Sequence, residues 1–315
     1  MMRSRRWWIT ILWLVLASMV AAATAVEPAP PRHHAPVQRG FASPEQAVEA
    51  LVAAVRSGDA RNIGGVLGKG SDRLIRSGDQ VADRQARERF LAAYEQRSRI
   101  EQESESKATL LIGDKDWPFP FPVVRRAGKW AFDARSGADE ILNRRIGRNE
   151  LSAIQVCLAY VDAQREYAVG VGSDNGLHAY AMRLVSTPGT RDGLYWPAQE
   201  GQPPSPLGPL ASKAKEEGYK AQPYHGYYYR ILTAQGPAAR GGAYDYVVDG
   251  RMIGGFALIA YPARWGSSGV MTFIVNHDGI VYQRNLGSRT AAIAASITRF
   301  DPDSNWSKAQ PEGQR

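Results

Sequence analysis

Four groups of residues in this 315-residue chain have types and spacings that could do chemistry. Asp301, Asp303 and Asn305 recur at alternate positions, as calcium ligands do, and Glu312 falls where a loop of about twelve residues places its bidentate acid. The sixth position is Trp306 instead of the glycine such a loop turns on, so a capped, solvated tail is the competing reading. Tyr195, Trp196, His225, Tyr227, Tyr229 and His277 could line a groove for a carbohydrate or a peptide. Alternation along the tyrosine run equally sends about half of those rings into a core. Asp114 and Asp116, with His225 or His277, could serve as acid and base of a hydrolase if the fold brings them to one cleft. His33 and His34 are a further metal-binding pair, set in a segment without periodicity.

Other motifs fail on spacing. Gly64 to Gly70 holds a lysine, but it has one residue too few between glycines for a phosphate loop and no Ser or Thr after Lys69. Gly170-Val171-Gly172 follows a helical pattern and lacks the third glycine of a dinucleotide site. Gly266-Ser267-Ser268-Gly269 is not a nucleophile elbow, and a Ser268, His277, Asp278 triad asks adjacent turn residues to point the same way. No cofactor is expected.

Composition gives an address. Arg3, Arg5 and Arg6, the apolar run Trp7–Val20 and Ala23-Thr24-Ala25 have the order of a signal peptide cleaved near Ala25. The apolar run is shorter than the roughly 20 residues of a spanning helix, so membrane contact is expected only during export. Removing those three arginines from the formal charge of +8 leaves +5, scattered among acids. Arg144, Arg145 and Arg148 are the densest basic spot, beside Asp139, Glu140 and Glu150, and read as a solvated helix end. No nucleic-acid partner is expected. The only cysteine, Cys157, excludes an intrachain disulfide. The expected location is periplasmic or secreted.

The elements that must position these groups fall into two expected domains. After a Pro-rich leader at 26–40, a first α+β domain covers 41–140. Its first helix has Ser43 and Gln46 as a capping box, Pro44 at the first turn, and a face of Ala47, Val48, Leu51, Val52 and Val55. It stops at Ser57-Gly58-Asp59, and a second helix over Asp83–Arg97 buries Ala86, Phe90, Leu91 and Tyr94. A strand runs from Glu101 to Ile112, the prolines of Trp117–Pro122 force an extended edge, and Ala127-Gly128 turns a hairpin. The second α+β domain covers 141–306, with a tail at 307–315. Its keel is a core helix capped by Asn149, with Leu151, Ile154, Cys157, Leu158 and Val161 facing inward. An irregular segment over 171–224 follows, then strands at 225–233, 253–261, 270–276 and 279–284, and a helix at 290–298. Asp278-Gly279 marks the last hairpin turn.

Residues 41–135, two helices and a meander ending in GKWAFD, resemble the secreted NTF2-like proteins, curved sheets wrapped on helices that often hold a pocket. NELSAIQVCLAYVDAQREYA, HGYYYRILT, GFALIAYP and GVMTFIVNHDGIVYQ resemble the helix and sheet of a type IV pilin or pseudopilin globular domain. A whole domain precedes that helix here, so the resemblance implies the fold and leaves filament assembly open. From Phe41 to Trp306 the chain is similar to the exported bacterial family known as domain of unknown function 2950. The stretches that carry this are SPEQAVEALVAAVRSGDA, DWPFPFPVVRRAGKWAFD, RRIGRNELSAIQVCLAYVDAQREYA and WGSSGVMTFIVNHDGIVYQRNLG. That family brings no activity with it. Two function classes stay open: a non-catalytic envelope protein binding a protein partner or a glycan, and a periplasmic hydrolase. The first is favoured, because no catalytic group has the right spacing.

Overall fold

Helix formation begins where the capping chemistry is written. Ser43 Oγ accepts from the Gln46 amide at 3.3 Å, Pro44 occupies the first turn, and α1 runs Pro44–Ser57. Gly58, at φ +68°, ends it and Asp59 at once caps a new helix, α2 (Ala60–Leu67), its carboxylate accepting from Arg61 N at 2.8 Å. The expected stop is thus also a start. A single turn, α3 (Asp72–Ile75), and α4 (Gln80–Gln96) follow. The computed structural model describes residues 38–309 apart from 137, 175, 199, 200, 202 and 222. The expected signal peptide, the leader up to residue 37 with His33 and His34, and the tail from 310 with Glu312 lie outside the described residues.

The first sheet is antiparallel. Strands β1 (Ser98–Ser104), β2 (Lys107–Ile112), β4 (Val123–Arg126) and β5 (Lys129–Phe132) lie in that order, with β3 (Trp117–Pro118) also paired to β2. The single strand expected over 101–112 is therefore a hairpin turning at Glu105-Ser106. No residue of α4 is buried. Phe90, Leu91 and Tyr94 are half-buried against the first core, and Ala86 is exposed. The helix leaves space beneath it instead of closing the core.

The long helix α5 spans Ala138–Val169, starting a full three turns before the expected cap. Asn149 is an interior residue, and its Nδ2 donates to Ser268 O at 2.8 Å. Leu151 and Leu158, expected inside, are 41% and 38% exposed; the buried stripe is Ala153, Ile154, Cys157, Tyr160, Val161 and Gln164. This face lies on a second antiparallel sheet of β6 (Tyr227–Leu232), β7 (Ala257–Pro262), β8 (Met271–Asn276), β9 (Tyr282–Asn285) and β10 (Ser307–Lys308), in that order. Ala257 to Ala260 are all buried, so both faces of β7 are covered. The segment after α5 holds four short strands and a helix, α6 (Gly208–Glu216). Gln164 ties it down, accepting from Ala181 N and donating to Ala181 O, both at 2.8 Å. A last helix, α7 (Thr290–Ser296), packs on β7. The fold is mixed α+β.

The described residues belong to one compact unit with two hydrophobic cores, one drawn from residues 47–134 and the other from 153–300. A polar seam at 71–79 joins them. A helix leaves its last carbonyls without intrahelical partners. For α3 they are supplied from far away: Arg145 donates to Arg73 O and Leu74 O, Ser267 Oγ to Arg73 O, and Arg264 to Arg76 O, at 2.7–2.9 Å. Arg264 also pairs with Asp72. Buried Asp79 caps α4 through Ala82 N at 3.0 Å, and its other oxygen accepts from Tyr219 OH and Gly226 N, both at 2.8 Å.

Candidate functional site

The residues selected from sequence do not assemble into one site. Tyr227 and Tyr229 on β6, and Trp196, are buried in the second core, where the Tyr227 hydroxyl donates to Met271 O at 2.9 Å. Tyr195 is half-buried on a short strand paired with 183–185. No exposed aromatic groove forms from this set, because alternation sent its largest rings inward. Asp114 bonds Gln96, and Asp116 pairs with Arg99 at 3.4 Å, both at the first sheet and away from either histidine. Asp301 accepts from Ala238 N at 2.8 Å, while Asp303 accepts from Asn305 N at 2.9 Å and is held below its ordinary pKa by that turn. Ser268 Oγ is engaged within its own turn, accepting from Arg264 N at 2.9 Å.

His225 comes nearest to acid–base geometry. Its backbone has φ +47°, and its Nε2 lies 3.2 Å from Glu217 Oε2. Tyr219 and Tyr224 wall the ring at centroid distances of 5.7 and 4.1 Å. Burial lowers the imidazole pKa, against the pull of Glu217 and Asp79. Burial and the neighbouring Glu217 push the Tyr224 phenol up to about 12. A base of this kind needs a nucleophile or a water channel within reach. Among the described residues no serine, threonine or cysteine hydroxyl or thiol bonds a histidine, and burial pushes the Cys157 thiol up to about 12. His225 and Glu217 brace the seam beside Asp79.

A larger concave feature lies elsewhere. Between the helices and the first sheet is a cavity of about 920 Å³, toward the upper end of the ~300–1,000 Å³ usual for ligand sites. Its inner wall is apolar: Leu51 and Val55 from α1, Ile63 and Leu67 from α2, and Ile112 from β2, all buried. The proline-rich strap adds aromatic rings. Phe119 is the hub, 5.2 Å from Phe90, 5.2 Å from Phe121 and 6.1 Å from Phe132, while Trp117 at the edge is 48% exposed. The expected extended edge is limited to Trp117–Pro118; the chain bends at Pro120 and Phe121, and Phe119, Phe121 and the three prolines all line the cavity. Unfilled helix faces are normally closed by larger side chains. Here α4 presents Ala86 and Ala93 toward the space.

Polar groups collect where the wall meets solvent. From α5, Ile141, Arg144, Arg145 and Arg148 recur at helical spacing and line the cavity. Arg145 is committed to the carbonyls of α3, and burial lowers its pKa. Arg87 and Arg89 of α4 line the same space. Asp83 accepts from Ser77 N at 3.0 Å, and burial raises its pKa. Glu103 is held by Lys107 at 2.6 Å and by Thr109. The basic spot expected at a solvated helix end lies within α5 instead, with Arg144 and Arg148 exposed, and it lines the cavity. The available signal was the arginine spacing in register with Ile141, but its opposing wall lies some 60 residues earlier in the chain.

The chain belongs to the family described as Protein of unknown function (DUF2950), whose model matches residues 38–309. No curated protein and no solved structure matches it. Among the described residues, no helix is long and apolar enough to cross a membrane.

Proposed function

We propose that this is an exported envelope protein that acts by binding rather than by catalysis, and that its site is the cavity under α4. The observation that carries the reading is an apolar-walled space of about 920 Å³ ringed by aromatic side chains. A ligand sheltered there loses most of its contact with water, at roughly 25 cal/mol per Å² of apolar surface removed. The NTF2-like resemblance of residues 41–135 supports a pocket at this place. The pilin-like resemblance of the second half suits it to a supporting or partner-facing role. Export rests on the N-terminal arginine, apolar and small-residue pattern.

A fluorescent naphthylamine probe tests the site. It should bind the purified full chain with a blue-shifted emission, and Ala86→Trp, which puts an indole into the space from an exposed helix position, should abolish that signal without lowering the melting temperature. Absence of binding to the unmodified protein would overturn the reading. The catalytic alternative rests on the 3.2 Å contact between His225 and Glu217. It predicts ester or glycoside turnover that His225→Gln removes.

A further inference from the structure

We infer that the ligand of the cavity is a single-chain anionic amphiphile, with its alkyl chain against the apolar wall and a carboxylate or phosphate head at the arginine mouth. This rests on the cavity being the binding site. The argument is one of charge left uncommitted. Six cationic side chains line the space, against two acids, Asp83 and Glu103; Lys107, Arg144 and Arg145 have partners, which leaves Arg87, Arg89 and Arg148. Both acids are already occupied, Asp83 by the Ser77 amide and Glu103 by Lys107 and Thr109. Among the described residues, Arg87, Arg89 and Arg148 have neither a hydrogen bond nor an ion pair, and Arg87 is half-buried.

A half-buried guanidinium carries five N–H donors and cannot neutralise itself by losing a proton. It is most readily satisfied by an acceptor with two or three oxygens in a planar or tetrahedral array, which it grips bidentately. Cations from two helices lining one space suit an anion bound within it. The apolar wall behind them favours an anion that carries a tail, and the mouth disfavours a neutral or cationic head on the same tail.

The test measures displacement of the naphthylamine probe from the full chain by four ligands of one chain length: dodecanoate, dodecyl phosphate, dodecanol and dodecyltrimethylammonium, all kept below their aggregation concentrations. The expected result is that at least one anionic ligand binds about tenfold or more tightly than dodecanol, which is ~1.4 kcal/mol. A lead for dodecanoate would assign a fatty-acid-like ligand, and a lead for dodecyl phosphate a phosphate-headed lipid. Arg87→Gln with Arg148→Gln should erase that preference while leaving dodecanol affinity unchanged. Equal affinity for dodecanol, preference for the trimethylammonium head, or probe binding that no anionic ligand displaces would each overturn the assignment while the cavity reading stands. Failure of the probe itself to bind overturns the cavity reading instead. Should the double variant not fold, the head-group series on the unmodified protein decides the matter alone.

Discussion

The ring of His277 stands edge-on to Tyr246 and Phe256, at centroid distances of 5.7 and 6.1 Å, with its Nδ1 buried and without a hydrogen-bond partner among the described residues. Gly255 makes room for it, since a Cβ there would sit 2.6 Å from Nδ1. Burial lowers the pKa of this imidazole; Asp278 opposes the shift and Arg165 adds to it. A histidine with a depressed folded-state pKa binds fewer protons folded than unfolded, so stability rises with pH through that window. The loss therefore sets in as pH falls below the unfolded value of about 6.5. Thermal melts from pH 7.5 to 5 should show a falling melting temperature, and His277→Phe should flatten that slope. An unchanged slope in the variant would assign the effect to His225, whose shift has the same sign. Gly226 is a second position with no freedom. At φ +74°, a Cβ would meet Asn149 Nδ2 at 2.7 Å and Ser268 Cβ at 2.9 Å. Gly226→Ala should cost about 2 kcal/mol or more, read by denaturant melts.

Helix α5 serves two masters, and its faces can be told apart by paired substitutions. Ile154 is buried among the strands of the second sheet, so Ile154→Asp strands a carboxylate in that core and should cost several kcal/mol, enough to unfold it. Leu158, one turn on, faces solvent, and Leu158→Asp should shift stability by no more than about 0.5 kcal/mol. Urea melts of the two variants separate the faces, and equal losses would contradict this orientation. The helix and its stripe at Ile154, Cys157 and Val161 were legible because an apolar period of 3.6 survives any context. Its start was not. Arg144 to Arg148 have the polarity of a helix end; in the fold Arg145 closes the carbonyls of α3, while Arg144 and Arg148 are exposed in mid-helix. The break at Gly58-Asp59 hid α2 because Gly58 ends one helix and the next residue, Asp59, caps another. The β1–β2 hairpin was missed because Glu105-Ser106 carries no glycine or asparagine turn signal. Burial of the aromatic set around Tyr227 was half visible in its alternation. The cavity was not visible at all, since it is assembled from five helices and a sheet.

At the scale of the whole molecule, two cores share one polar seam, and their independence depends on it. Asp79 is the seam's most connected residue, with one oxygen on the α4 cap and the other on Tyr219 and Gly226. Asp79→Ala loses the cap and leaves a buried hydroxyl and amide without an acceptor, at a cost of about 2–4 kcal/mol. Calorimetry should show one transition for the unmodified protein, because the cores are fastened together. In the variant, each core should melt on its own and give two. A single transition in the variant would mean that the apolar contacts alone join the halves.

The carbonyls of α3 are closed by partners between 71 and 194 residues further along the chain. Such partners meet only after long stretches of backbone have been ordered, and the entropy of that closure is spent before any hydrogen bond repays it. Each core, by contrast, is built largely from neighbouring hairpins and helices. The clasp is therefore expected to form on the native side of the folding barrier. Stopped-flow measurements on Ser267→Ala should find the refolding rate unchanged and the whole loss of stability in faster unfolding. The residues at 71–79 thus govern how long the finished molecule lasts, not how quickly it is made.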